Sequence, residues 1–281
     1  MLHHWYPQPS FNETELILEK QHRLLQPIWD FVKHGNEPIL SSPLFPPFYA
    51  LSIDYTFVAI FTVIDLFLYD VPFFKKYKIQ KDRKVTWDLM KKSFVLQFWN
   101  QLLWIYPMAL VQLIWVPPTF LPELAPTLFE FLTQLTIFFL AFDFTYFWFH
   151  YTFHKVTAQH LHPFELFFVG TFITAIPWIF PTHCFTYYTW LFIAQAVSYE
   201  VHLGYDFPFA LHRFLFFYSG APAHDMHHLR PLTCFEPWLN YLDKLMGYHI
   251  TYEDLKKMAQ EKSKKFGRYA REDEQGLEKI N

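Results

Sequence analysis

The chain has few of the residues that cross-link or bend small soluble domains. It contains only 7 glycines and 2 cysteines among 281 residues. Cys184 and Cys234 lie far apart with no paired spacing, which argues against a disulfide scaffold and against a cysteine zinc site. The formal net charge is only -3, and the basic residues are concentrated in one segment. That grouping suits membrane orientation better than nucleic-acid binding, so no nucleic-acid partner is expected.

Two familiar motifs are also absent. Residues 1–16 have no basic start followed by an apolar core, so no cleavable signal peptide is expected and membrane insertion should depend on internal spans. No HExxH sequence occurs, which argues against a hydrolytic zinc site of that kind. No internal repeat or linker marks a second domain.

What the chain does contain is apolar and aromatic. Hydrophobic residues make up 52% of it and aromatic residues 22%, including 35 Phe, and they occur in long uncharged runs. This exceeds what a globular interior usually holds, so a lipid-facing protein is predicted. Spans of about 20 mainly apolar residues are expected at 47–69, 93–116 and 127–149, followed by a helical hairpin over 164–199 that turns near Pro181. Asp54 and Asp65, inside the first span, should face other helices.

The basic residues orient these spans. Eight Lys and Arg lie between the first two spans, whereas residues 117–126 contain none. The positive-inside rule therefore places the basic loop in the cytosol and the N-terminus in the lumen, where Asn12 begins a glycosylation sequon. The expected division is a lumenal segment 1–46, a membrane domain 47–255 and a charged tail 256–281. The predicted fold is an all-α, multi-span membrane protein with four or five transmembrane helices, the last two a hairpin, and a cytosolic histidine-rich helical cap.

Eleven of the fifteen histidines lie between His150 and His249. His150 and His154 are four residues apart at the cytosolic end of a predicted span, so on a helix their rings project from one face. His224, His227 and His228 have the i, i+3, i+4 spacing and also share a face. Imidazole binds iron, zinc and copper well, and both clusters are expected on the same side of the membrane. The sequence therefore predicts a metal site.

Other residues are weaker candidates. His202 and His162 each could complete a coordination sphere or be an ordinary interfacial histidine. His160 is less favourable, since residues two apart point away from each other on a helix. His183, at the hairpin turn, is excluded because it is expected on the lumenal face. Asp225 is either an acceptor for a ligand imidazole N–H or a solvated acid at a helix start.

The choice of metal follows from the ligand types. Many histidines without cysteine ligands suit non-haem iron that activates dioxygen. Two irons with about three protein donors each require roughly six nitrogens, a number that this chain reaches only by recruiting His202 or His162.

At these residues the sequence resembles the membrane-bound fatty acid hydroxylase superfamily, which includes sterol oxidases. The similarity covers roughly Gln26 to Gly247. It rests on QPIWDFV near the start, Phe142-Asp143 with His150-x-x-x-His154, His162-Pro-x-Glu165-Leu, His202-x-Gly-Tyr-x-Phe-Pro208, His212-Arg213, His224-Asp-x-His227-His228 and Asp243-Lys-x-x-Gly247.

The resemblance implies a multi-span enzyme of the endoplasmic reticulum. It would use a dinuclear non-haem iron centre, dioxygen and electrons from a reductase system to hydroxylate a sterol C–H bond. By position, His150 and His154 correspond to the first histidine box of the family and His224, His227 and His228 to the third. The aromatic spans would shape the sterol cavity.

One departure from the family pattern is large. The family carries a middle HxxHH box soon after the first, and here the segment after Lys155 runs directly into His160-Leu-His162. We interpret this as a deletion of the middle box, which is compatible with an inactive relative, a splice form or an incomplete gene model. Three functions therefore stay open: a sterol hydroxylase, a methylsterol or other lipid oxidase of the same superfamily, and a catalytically inactive sterol-binding membrane protein.

Overall fold

The structure is a computed structural model that describes residues 10–157 and 163–266, and the regular elements in these ranges are helices joined by loops. Its only β pairings there are two isolated bridges. The predicted all-α class is confirmed. The α-helices are α1 (Glu13–His22), α2 (Gln26–Lys33), α3 (Glu37–Leu40), α4 (Phe45–Val63), α5 (Pro72–Tyr77), α6 (Trp87–Asn100), α7 (Tyr106–Trp115), α8 (Leu128–Thr157), α9 (Pro163–Ala175), α10 (Cys184–His202), α11 (Gly220–Leu229), α12 (Tyr241–Met246) and α13 (Tyr252–Phe266).

Two helical stretches are long and apolar enough to cross a membrane. They are Phe45–Leu68, which is α4 extended by a π-helical turn, and Leu128–Lys155 in α8. The predicted spans 47–69 and 127–149 fall on them. Prolines 46 and 47 are tolerated in the first turn of α4, since the N–H groups there have no helical partner anyway.

The other predicted spans correspond to interrupted helices. The 93–116 segment is α6 and α7 joined by a π turn at Gln101–Ile105, and α7 ends just before Pro117-Pro118. The predicted hairpin is α9 with a 3-10 turn at Ile176–Ile179, then α10, and the helical structure breaks at residues 180–183, as the proline turn predicts. The count of four or five crossings and the cytosolic cap stay predictions.

The described residues form two compact units. The first comprises 10–56, 94–142 and 163–195, and the second comprises 57–93, 143–157 and 196–266. Because α4, α8 and α10 are long, each contributes residues to both units. Both predicted histidine clusters, together with His202, belong to the second unit.

In the first unit, α2 is bonded to the proline-rich loop 117–126. The Trp29 indole N–H donates to the Pro122 carbonyl at 2.8 Å. The Gln26 amide donates to the Glu123 carbonyl and accepts from the Ala125 N–H at 2.7 Å. Both side chains are buried. The two segments that the sequence assigns to the lumenal side therefore lie together.

The acidic residues of the first span have polar partners. Asp54 accepts hydrogen bonds from the side-chain amides of Gln97 at 2.5 Å and Gln101 at 3.3 Å, so it faces α6 and the π turn, as predicted. Asp65 instead bonds to the Lys78 ammonium and the Tyr205 hydroxyl, both at 2.8 Å. Lys78 and Tyr205 pair in an isolated bridge outside the helices, so the expectation of a helical partner for Asp65 is wrong.

We expect Trp29→Phe to lower the free energy of unfolding by about 1 kcal/mol, because the ring stays buried while the Pro122 carbonyl loses its indole donor. Thermal unfolding in detergent measures this change. Trp115→Phe is the matched control, since Trp115 is 78% exposed on α7. Equal midpoints for the two variants would contradict the role assigned to the Trp29 bond.

Candidate metal centre

Three imidazoles from two helices form a first trio: His150, His154 and His227. His150 and His154 lie one turn apart on α8, with their Nε2 atoms separated by 2.8 Å. The His227 ring of α11 lies 4.4 Å from that of His150 and 5.0 Å from that of His154, centre to centre. All three residues are buried, and one ring nitrogen from each lies within 4.8 Å of the other two.

A second trio adjoins the first along α11: His202, His224 and His228. The Nε2 atoms of His202, at the end of α10, and His224 are 2.7 Å apart. The His228 ring lies 4.7 Å from that of His224, and the three ligand nitrogens again fall within 4.8 Å of one another. His224 is buried, whereas His202 and His228 are exposed.

The structure therefore divides the predicted clusters differently from the sequence. The i, i+3, i+4 spacing places His224, His227 and His228 on neighbouring positions of α11. Tertiary packing then assigns His227 to the α8 pair and leaves His224 and His228 with His202. The six rings form two sets of three, and the imidazole of His202 is brought to the site.

Backbone carbonyls orient several of these rings. The Nδ1 atom of His150 bonds to the Phe235 carbonyl and that of His227 to the Thr233 carbonyl, both at 2.9 Å. His202 Nδ1 bonds to the Ser198 carbonyl at 2.7 Å. Since a carbonyl oxygen only accepts, Nδ1 must carry the proton in each ring, and Nε2 keeps its lone pair. This arrangement is typical of histidines that bind metals through Nε2.

The geometry of both trios fits a metal ion. Two nitrogens at about 2.1 Å from one ion and at right angles to each other would be about 3 Å apart, close to the Nε2 separations observed here. His224 Nδ1 is buried without a hydrogen-bond partner among the described residues. Neither trio contains a cysteine or a carboxylate, and such all-imidazole sets suit iron, zinc or copper.

Burial keeps the imidazoles of His224 and His227 on α11 neutral. It lowers the pKa of His227 to about 3, despite the Thr233 carbonyl, which favours the protonated ring. Burial and the neighbouring His202 ring lower the pKa of His224 as well. A neutral ring has a free lone pair and adds no positive charge, so neither histidine repels a cation at neutral pH.

Asp225 has partners other than a histidine. Both of its carboxylate oxygens accept from the Gln80 amide, at 2.8 and 2.9 Å, and one also accepts from the Tyr252 hydroxyl. These bonds connect α11 to the basic loop and to α13. The predicted role of Asp225 as a histidine acceptor stays a prediction.

The remaining predicted residues lie away from the trios or outside the described part of the chain. His162 and His160 lie outside the described residues. His183 is buried in the first unit, where it donates to the Leu124 carbonyl at 3.0 Å. Asn12 caps α1 by accepting from the Glu15 N–H at 2.9 Å, and its glycosylation stays a prediction.

Sequence reasoning missed the segment that supports the first trio. The carbonyls of Thr233 and Phe235 had no sequence signal, because every residue has a carbonyl. Asp243 accepts from the N–H groups of Phe235 and Glu236 at 2.9 and 2.8 Å. The sequence placed it in a family motif but predicted no role for it. Asp143 accepts from the backbone N–H groups of Trp238 and Leu239. It too was part of a family motif without a predicted role.

Two candidate membrane spans and six clustered imidazoles in a helical chain are the features expected of a histidine-rich membrane protein. A sequence model of the fatty acid hydroxylase family matches residues 155–248. Cholesterol 25-hydroxylase-like proteins of Caenorhabditis briggsae and Caenorhabditis elegans are each 72% identical over 98% of this chain and 99% of their own length. Cholesterol 25-hydroxylase of Mus musculus is 31% identical over 80% of this chain and 82% of its own. No solved structure matches the chain.

The chain therefore belongs to the fatty acid hydroxylase family, and the predicted resemblance is confirmed. Membership supports the activity of a lipid or sterol hydroxylase. The alignments with the two nematode relatives span 296 residues, more than the 281 of this chain. Those relatives thus contain residues that have no counterpart in the aligned part of this chain.

The buried carboxyl of Glu236 should make stability depend on pH. Burial and the nearby Asp143 carboxyl raise the pKa of Glu236 from 4.5 to about 8. A raised folded-state pKa means that the protonated side chain stabilises the fold below about pH 4.5 and that this contribution is lost as pH rises through about 8. Each pH unit in this window changes the contribution by at most about 1.4 kcal/mol.

We expect Glu236→Gln, which mimics the protonated carboxyl, to match the wild type at pH 5 and to be more stable at pH 8. Unfolding midpoints of both proteins across this range provide the measurement. Glu253→Gln, an exposed substitution at the start of α13, is the control and should follow the wild type. A constant difference between Glu236→Gln and wild type at every pH would refute the assignment.

Proposed function

We propose that this chain is an iron- and O2-dependent sterol hydroxylase of the endoplasmic reticulum membrane, similar to cholesterol 25-hydroxylase. The observation that carries the proposal is the gathering of six imidazoles into two sets of three in a member of the fatty acid hydroxylase family. The sterol substrate is inferred from the names of the relatives.

In this proposal His150, His154 and His227 would hold one iron, and His202, His224 and His228 the other. The bound irons would supply the activation of O2 for C–H oxidation. Three imidazoles for each ion meet the need for about three protein donors, so neither set depends on the missing middle box. His162 is a further candidate donor.

The protein's own residues would orient and shield the centre. Carbonyls at Thr233, Phe235 and Ser198 hold the Nδ1–H groups and point the Nε2 lone pairs of their rings toward each trio. Burial of the first trio excludes bulk water from it. The hydroxylation balances when one sterol C–H, O2, two electrons and two protons give one C–OH and water. The electrons would come from a reductase system.

The predicted cytosolic position of the site is supported by contacts of the basic loop. The Ile79 N–H donates to the Gly204 carbonyl at 3.1 Å, and the Asp206 N–H donates to the Tyr77 carbonyl at 2.8 Å. The chain segment that follows His202 therefore lies beside the loop that contains the lysines. The positive-inside rule assigns this side to the cytosol.

Two alternatives use the same residues. A methylsterol or other lipid C–H oxidase would have the same ligands and differ in the carbon that it presents to the iron. A catalytically inactive sterol-binding protein is favoured by one observation, the residues that this chain lacks relative to its nematode relatives.

Iron content tests the metal site. We expect purified wild type to contain about two irons per chain and His154→Ala and His224→Ala about one each, because each variant removes a ligand from a different trio. Iron analysis and mass spectrometry of the intact protein are the measurements. His22→Ala is the control, since His22 is an exposed residue at the end of α1. A wild-type protein purified anaerobically with added Fe²⁺ and still without iron would rule out the metal site.

Product analysis tests the substrate. Wild-type protein with a reductase, labelled cholesterol and ¹⁸O2 should give a side-chain hydroxysterol with one ¹⁸O atom, and His154→Ala should lower its yield by about 100-fold or more. Oxidation of a methylsterol but not of cholesterol would favour the other oxidase. Sterol binding without any product would favour the inactive protein.

A further inference from the structure

The backbone beside the first trio adopts an unusual conformation at Cys234, in the short turn Thr233–Cys234–Phe235. Cys234 has φ of 51°, which makes it the one non-glycine residue with positive φ among those the structure describes. A side chain in this region costs about 1–3 kcal/mol, and such strain persists only where surrounding contacts hold it. The two carbonyls that flank Cys234 are the acceptors for the Nδ1–H groups of His227 and His150.

Several hydrogen bonds hold this turn in place. The Asp243 carboxylate, fully buried at α12, accepts from the Phe235 N–H at 2.9 Å and the Glu236 N–H at 2.8 Å. The Cys234 N–H donates to the Tyr248 carbonyl at 3.0 Å. Phe235 is therefore held by Asp243 through its N–H and holds His150 through its carbonyl.

We propose that Asp243 is a positioning residue for the first trio, acting through the Phe235 backbone on the ring of His150 and through the same turn on His227. The proposal rests on the proposed metal site. The proposed effect of Asp243 is selective, because the contacts described for the Thr233 and Phe235 carbonyls go to His227 and His150 of the first trio. In the second trio, the described acceptor for His202 is the Ser198 carbonyl within α10.

Asp243 can position the first trio because its carboxylate accepts the backbone N–H groups of Phe235 and Glu236. Without the second carboxylate oxygen, the N–H of Phe235 or Glu236 is buried without an acceptor, which costs about 1–3 kcal/mol. The strained turn then relaxes, and its carbonyls no longer fix the tautomer and rotation of His150 and His227. Changes at such outer partners typically lower metal affinity by about 10–100-fold.

Co²⁺ binding to metal-free protein, measured by competition with a chelator, tests the proposal. Asp243→Asn keeps the side-chain shape and one acceptor oxygen and removes the other. We expect one Co²⁺ site to weaken by about 10–100-fold and the second to keep its affinity. Asp254→Asn is the matched control, since Asp254 also accepts a backbone N–H, that of Thr251 at 3.1 Å, but on the exposed start of α13.

Combining substitutions identifies which site changes. In a His224→Ala background the remaining Co²⁺ is held by the first trio, so adding Asp243→Asn should weaken it. In a His154→Ala background the remaining ion is held by the second trio, and its affinity should stay unchanged. This selectivity is a readout that a merely structural role of Asp243 does not produce.

The other outcomes show whether the positioning role of Asp243 or the proposed metal site itself is wrong. Unchanged affinity at both sites, or equal weakening of both with or without loss of helical circular dichroism, overturns the positioning role and leaves the metal site standing. A wild-type protein that binds no Co²⁺ overturns the proposed metal site, and the positioning role with it.

Discussion

The hydrogen bond between a histidine Nδ1–H and a backbone carbonyl is the interaction on which the candidate centre depends. An imidazole that rotates freely, or exchanges its tautomer, does not present a fixed lone pair. In this chain, carbonyls at residues 198, 233 and 235 each take one Nδ1–H. They therefore convert three flexible side chains into oriented nitrogen donors.

The short helix α11 links the two halves of the centre. Its three histidines share a face, but the rings meet different partners, because α8 approaches on the side of His227 and the end of α10 on the side of His224. The helix thus contributes one ring to the first trio and two to the second. This division explains how a chain without the middle histidine box still gathers six imidazoles.

Two buried acids, Asp143 and Asp243, and two half-buried acids, Asp54 and Asp65, play a parallel structural role. Asp143 and Asp243 bind backbone N–H groups of the 235–239 segment, and Asp54 and Asp65 bind side chains of neighbouring segments. A buried carboxyl is costly unless it is hydrogen-bonded, so Asp143 and Asp243 each favour the packing arrangement that supplies their donors. For Asp54 the sequence predicted the kind of partner. For Asp65 it did not, because an isolated bridge between distant segments has no local pattern.

The sequence by itself determined the helical class, the two long apolar spans, the hairpin break near Pro181 and the histidine pairs on single helix faces. These features follow from local periodicity, proline and composition, which act within a few turns of chain. The tertiary structure decided that His227 packs with the α8 pair, that His202 packs with His224 and His228, and that the strained turn at Cys234 supports His150. Such choices depend on contacts between segments that are distant in sequence and on backbone carbonyls that all residues share, so no local pattern encodes them.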